Sequence, residues 1–266
     1  MAIEPIRLNV NNASFSYGKE IVFENLTLEL NSGDILFVLG PNGVGKTTLF
    51  KTIMGFLKSD SGTFLFNNQN IKSWKPDKIA KNIAYVPQSH TPPFPFKVKD
   101  VVLMGRTVHL ERFSSPGAND LRIADEAMKE LGICHLREKS YTDISGGERQ
   151  LVLIARALCQ EARLLIMDEP TSNLDFGNQI RVYKQIQKLA NKGIGIILSS
   201  HVPNHALHFA THVALMNHNT ISRIASPEEL ITAASIKELY EVDAKIFVIP
   251  GGMKSRSRKV CIPDEF

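Results

Sequence analysis

Four stretches of the chain carry uninterrupted apolar runs: DILFVLG (34–40), IAYVPQ (83–88), RLLIMDEP (163–170) and GIGIILSS (193–200). Each is bounded by turn or polar residues. A strand covered on both faces reads this way, because neither face is left for water, and such strands belong to parallel sheets. Helical patterns lie between the runs, which makes the expected fold class α/β. The first thirty residues, with TLEL ahead of NSGD, and the later SGTFLFNNQ look different. They predict short antiparallel strands with Gly and Asn turns, forming a β lobe beside the core. From Phe96 to about Arg156 the pattern turns helical, through VKDVVLMGR, NDLRIADEAMKELGI and the segment after SGGERQ. This predicts a helical insertion. HTPPFPF (90–96), with three prolines, reads as a stiff hinge leading into it. The chain shows no internal repeat and no low-complexity tract.

With 266 residues and 43% apolar content, the chain can bury a substantial core. Thirty-one basic against 27 acidic residues leave a net charge of +4, too weak and dispersed to argue for a nucleic-acid partner, and none is expected. The local exception is KSRSRK (254–259), read as a solvated, frayed terminus in preference to a lipid or nucleic-acid contact. Cys134, Cys159 and Cys261 are widely spaced and form neither a disulfide framework nor a metal knuckle, which fits a reducing cytoplasm. No apolar run approaches the ~20 residues of a membrane helix, and the start MAIEPIRLNV lacks the layout of a signal peptide. A membrane role is therefore expected to come through a partner.

The chemistry begins at GPNGVGKTT, which runs Gly40, Pro41, Asn42, Gly43, Val44, Gly45, Lys46, Thr47, Thr48. It matches GxxxxGK[ST] in full, directly after an expected strand and directly before an apolar helix, TTLFKTIMGF. Glycines let successive backbone N–H groups wrap a phosphate. Lys46 adds a charge-assisted contact to the β and γ phosphates, and Thr47 can offer its hydroxyl to Mg²⁺. In LLIMDE, four apolar residues bury a strand and Asp168 and Glu169 emerge at its carboxyl end, where α/β sheets bind ligands. Asp168 fits the Mg²⁺-associated position. Glu169 fits the base that orients or deprotonates the attacking water. His201, after IILSSH, is placed to donate a hydrogen bond to a γ-phosphate. His205, His208 and His212 have helical spacing but no carboxylate or cysteine partner, and read as solvated helix surface rather than as a metal site. A second anion-site signature, ISGGERQ (144–150), opens a helix, with Ser145, Gly146 and Gly147 where unpaired N–H groups gather.

These motifs, in this order, resemble the ATP-binding subunit of an ABC transporter over about residues 6–240. The resemblance implies a P-loop NTPase core with a parallel sheet, an antiparallel β lobe and a helical subdomain at about 96–156. Residues 241–266, with the strand-like AKIFVIPGG, are left as a short C-terminal extension with a basic tail. It implies that Tyr17 stacks on adenine, that Gln88 senses metal and γ-phosphate, that SNLD (172–175) is the D-loop ending in Asp175, and that His201 is the switch histidine. Two copies would pack head to tail, so that ATP and Mg²⁺ held by one Gly40–Thr48 loop are covered by Ser145, Gly146 and Gly147 of the other. Hydrolysis would then reopen the pair. The implied partners are transmembrane permease subunits, a second copy of the chain and, indirectly, a substrate-binding protein; the implied place is the inner face of the cell membrane.

Two positions depart from the family pattern. Ile144 stands for the usual Leu and Glu148 for the usual Gln. SGGE also spells a capping box, and that structural account of Glu148 is favoured over weakened closure. VVLMGRTVHL (101–110) resembles a stretch found in importers of metal chelates such as iron siderophore, haem and cobalamin, and in molybdate-type systems; the alternative is an amphipathic helix packing in the helical lobe. Other transporter classes, exporters included, stay open, as does a soluble regulatory ATPase of the same type. A DNA-repair ATPase is disfavoured by the short span from Gln88 to Ser145, a ribosome-associated protein by the single GxxxxGK[ST], and a non-hydrolysing scaffold by intact Glu169 and His201.

Overall fold

The computed structural model describes residues 5–88, 94–111, 114–218, 220–221, 223–250 and 258–264. The chain divides into two compact units, Trp74–Ile194 and the flanking Pro5–Ser73 with Gly195–Phe266.

In the flanking unit, β1 (Arg7–Tyr17) and β2 (Glu20–Asn31) form an antiparallel hairpin. Its burial alternates with the side-chain period of two: Leu26, Leu28 and Leu30 are inside, Thr27 and Glu29 outside. β3 (Ile35–Leu39) is buried at all five positions and leads through the glycine-rich loop into α1 (Lys46–Ile53). β4 (Ser61–Phe66) adds to the other edge of β1, and β5 (Gln69–Asn70) pairs with β4, completing the expected antiparallel lobe.

The central unit opens with α2 (Pro76–Asn82) and β6 (Ile83–Val86). α3 (Val98–Leu103), α4 (Ala118–Glu130) and α5 (Gly146–Cys159) then pack against one another as the helical insertion. α5, the last helix of the insertion, continues to Cys159, its apolar stripe running through Ala157 and Cys159 into the interior. β7 (Leu164–Met167), buried at every position, pairs in parallel with β6, and α6 (Phe176–Asn191) closes the unit.

The returning chain supplies β8 (Gly195–Ser200), α7 (Pro203–Phe209) and β9 (His212–Asn217) to the flanking unit. β3 lies between β8 and β9, parallel to both, and β10 (Thr220–Ile221) turns back on β9. α8 (Pro227–Leu230) and α9 (Ala233–Tyr240) follow. β11 (Ala244–Ile249) and β12 (Arg258–Pro263) form an antiparallel pair, anchored where Asn204 on α7 exchanges two hydrogen bonds with the Cys261 backbone, at 3.0 and 2.8 Å.

Two expectations change. His212 is a residue of β9 paired with Leu36, so the three histidines do not share a helix. The run VALM after it satisfies a strand ladder that histidine spacing obscured. Arg258 and Lys259 are strand residues, and Lys259 Nζ donates to the Glu228 carbonyl at 3.0 Å, so this end of the basic segment is not a frayed tail; residues 254–257 lie outside the described ones. Residues 90–93 of the proline-rich hinge also lie outside them. Among the described residues no helix is long and apolar enough to cross a membrane.

One buried charge ties the insertion together. Arg106, its side chain 5% exposed, follows α3 and donates to Asp120 on α4 at 2.9 Å, to Glu161 at 2.6 Å and to the Cys159 carbonyl at 2.8 Å. Removing the cation strands a carboxylate and a carbonyl away from water. Arg106→Met is expected to cost about 2–3 kcal/mol of stability in urea unfolding; an unchanged midpoint would show that the network carries no stabilisation.

Candidate functional site

In the flanking unit the phosphate cradle forms where the buried strand β3 gives way to α1. Gly45 takes φ 108, and a Cβ there would stand 2.4 Å from Val22 Cγ1, so the loop can turn into the helix only with glycine. α1 has no acidic residue in its first turn, leaving the positive end of its dipole uncancelled. Lys46 is 6% exposed, and its ammonium donates to the carbonyls of Gly40 (2.7 Å) and Pro41 (2.8 Å). Held this way, the cation is aimed back over the loop Gly40–Thr48, while Asn42 and Gly43 stand exposed. Backbone N–H groups, a helix start and a fixed ammonium are the features that suit a loop to phosphate. In the same unit Tyr17 ends β1, 52% exposed, with its ring edge-on to Phe15 at 4.9 Å. His201 follows β8 and is exposed.

In the central unit, β7 ends by delivering two carboxylates. Asp168 and Glu169 are 6% and 8% exposed. The Asp168 N–H donates to the Val86 carbonyl at 2.9 Å, carrying the β6–β7 ladder one residue past the strand. Glu169 adopts φ 43, a left-handed conformation that costs a non-glycine residue about 1 kcal/mol or more and re-aims its side chain. Gln88 Nε2 donates to Glu169 Oε2 at 3.3 Å and to Ser172 Oγ at 3.1 Å. These residues, with Arg149, Gln150 and Asn173, line a cleft of about 160 Å³. The oxygen chemistry of Asp168, and of Thr47 in α1, suits a hard cation such as Mg²⁺. Among the described residues no cluster of three or more His, Cys, Asp or Glu could hold a metal.

The second anion motif opens α5. Ser145 Oγ accepts from the Glu148 N–H at 3.3 Å, and the Ser145 N–H and O–H both donate to Glu148 Oε2 at 2.8 Å, forming the expected capping box. The Ser145 donors hold the Glu148 carboxyl below the usual carboxylate range. A Cβ on Gly147 would stand 2.5 Å from the amide of Asn178, which itself is held by Asp175, the cap of α6: Asn178 N–H to Oδ1 at 3.0 Å and Nδ2 to Oδ2 at 2.6 Å. The signature turn and the D-loop therefore abut. Sequence reasoning missed Asn178 and also Tyr85, whose hydroxyl donates to Asp168 Oδ2 at 3.4 Å. The signal for Tyr85 was its place on a strand ending beside the carboxylates. The reading of His205 as solvated surface is also corrected: it is half-buried on α7.

Comparison with known proteins places these motifs in a wider set. The family model described as ABC transporter matches residues 23–172. The chain is 38% identical to the hemin import ATP-binding protein of Hahella chejuensis over 236 residues, covering 86% of this chain and 90% of that one. It is 34% identical to the molybdate import ATP-binding protein of Haemophilus influenzae, covering 88% of each. A solved metal-chelate type ABC transporter in an inward-facing conformation superposes with a TM-score of 0.86 at 32% identity, covering 97% of both chains.

Burial, reinforced by His201 and His208, pushes the His205 pKa down to about 4. The unfolded chain, with an ordinary histidine near 6.5, then binds the proton more readily, so His205 makes stability fall as pH drops from about 6.5 to 4. Thermal melts across that window are expected to show a smaller decline for His205→Gln than for the native chain; parallel declines would mean the imidazole is not so placed.

Proposed function

The chain belongs to the ABC transporter family as an ATP-binding subunit that hydrolyses ATP, and from that premise we propose that it powers a membrane importer of metal chelates. The observation that carries the proposal is the pairing, in one chain, of a complete phosphate cradle with two buried carboxylates at the end of β7. Binding alone needs the first; hydrolysis also needs the second.

The residues divide the work. Asn42, Gly43, Val44, Gly45, Thr47 and Thr48 offer the phosphates backbone and hydroxyl donors, Gly40 and Pro41 shape the loop and hold Lys46 through their carbonyls, and Lys46 offsets the phosphate charge. Tyr17 stacks on the adenine. Thr47, Asp168 and Gln88 would hold Mg²⁺, which would supply charge neutralisation to the phosphates. Glu169 orients and deprotonates the attacking water, and His201 donates to the γ-phosphate. Ser145, Gly146, Gly147 and Asp175 serve the nucleotide of a second copy, so that triphosphate acts as the adhesive between two chains. In this reading residues 1–240 are the ATPase domain, with a helical subdomain at about 96–156, the insertion from Gln88 to Ser145 carries the surface that grips the permease, and 241–266 are an extension. The subunit stays at the inner membrane face through that permease, and a substrate-binding protein delivers cargo to the other side.

Metal-chelate import is favoured by the hemin relative and the metal-chelate type structural neighbour. The molybdate relative supports a second reading, oxyanion import. Permease-containing proteoliposomes offered haem, ferric siderophore or molybdate separate the two. In the same preparation Lys46→Ala is expected to weaken nucleotide binding. Glu169→Gln is expected to keep ATP bound while slowing hydrolysis about a hundred- to ten-thousand-fold. Normal turnover by Glu169→Gln would remove the assigned base.

A further inference from the structure

We infer that Tyr85 is a positioning residue for the metal-holding carboxylate, its phenol O–H pinning one oxygen of Asp168 and so fixing how the carboxylate is turned. The placement follows from the β6–β7 ladder. Tyr85 pairs with Ile166 and Val86 with Met167, and the Asp168 N–H to Val86 carbonyl bond extends that register to the carboxylate's own backbone. The backbone of Asp168 is thus fixed by the strand on which Tyr85 lies, and the Tyr85 hydroxyl reaches Oδ2 at 3.4 Å.

A carboxylate on a fixed backbone still turns about its terminal torsion, which is broad and roughly two-fold. In water that freedom costs nothing. Asp168 is 6% exposed, so solvent does little to orient it, and a donor aimed at one oxygen makes the two oxygens inequivalent. Three residues further along the same chain, Gln88 treats Glu169 alike, donating to Oε2 at 3.3 Å. The chain that begins as β6 therefore gives each of the two adjacent carboxylates its own donor. A phenol is protonated at neutral pH, so in this pair Tyr85 is the donor and the Asp168 oxygen the acceptor.

The inference rests on the reading of Asp168 as the Mg²⁺ carboxylate, and Asp168→Asn tests that reading separately. The measurements use the full chain with its permease: half-saturating Mg²⁺ for ATPase activity at fixed ATP, ATP retention in EDTA, and the rise in melting temperature that Mg²⁺ produces with ATP present. Partners of metal-binding groups are typically worth ten- to a hundredfold in metal affinity; at 3.4 Å the contact is long for O–H···O, so Tyr85→Phe is expected to raise half-saturating Mg²⁺ by about three- to tenfold. It should also shrink the Mg²⁺-dependent rise in melting temperature by more than it lowers the nucleotide-free melting temperature, while ATP retention in EDTA stays native. Unchanged Mg²⁺ dependence would overturn the inference. So would equal losses with and without Mg²⁺, the mark of a packing role only. Should the Phe variant not fold, Tyr85→Met fills the space without a donor and decides by the same readouts. If Asp168→Asn leaves Mg²⁺ dependence native, the premise fails, whatever Tyr85→Phe does.

Discussion

A strand with no face in water can carry charge only at its ends, and this constraint organises the molecule. Leu164–Met167 and Ile35–Leu39 are buried throughout, so nothing along their length can bind or react. Chemistry is displaced to the residues that follow each strand: the glycine-rich loop after Leu39, the carboxylates after Met167. The displaced groups remain buried and must be answered by fixed partners rather than by solvent. Lys46 is answered by two carbonyls of its own loop, and Glu169 by the amide of Gln88. Such groups are already oriented before any nucleotide arrives, which is what electrostatic stabilisation of phosphoryl transfer requires.

The same constraint explains what could be read from the sequence. Fully buried strands must be apolar without interruption, and all four such runs proved to be strands of parallel pairs. The capping box was legible because Ser145 and Glu148 satisfy each other locally. Contacts set by register were not legible. That Tyr85 meets Asp168 follows from how two strands align, and that Arg106 finds Asp120 and Glu161 follows from how three helices pack; neither leaves a short-range pattern. His212 misled for the converse reason, since its spacing from His205 and His208 matched a helix that ends at Phe209.

The proposed division of labour gives the two anion sites different purposes. The cradle at Gly40–Thr48 binds by being incomplete: it supplies donors for a phosphate chain and leaves part of that charge exposed. The turn at Ser145 is satisfied within its own chain by Glu148, so it has little need of a ligand until one of high charge is brought to it.

The most direct test is a structure of the chain bound to its permease with Mg²⁺ and a non-hydrolysable ATP analogue. The account predicts Ser145 of one copy within about 3 Å, hydrogen-bonding distance, of the γ-phosphate cradled by Gly40–Thr48 of the other. A nucleotide enclosed by one chain alone, with Ser145 still bonded to Glu148 and distant from every phosphate, would contradict it.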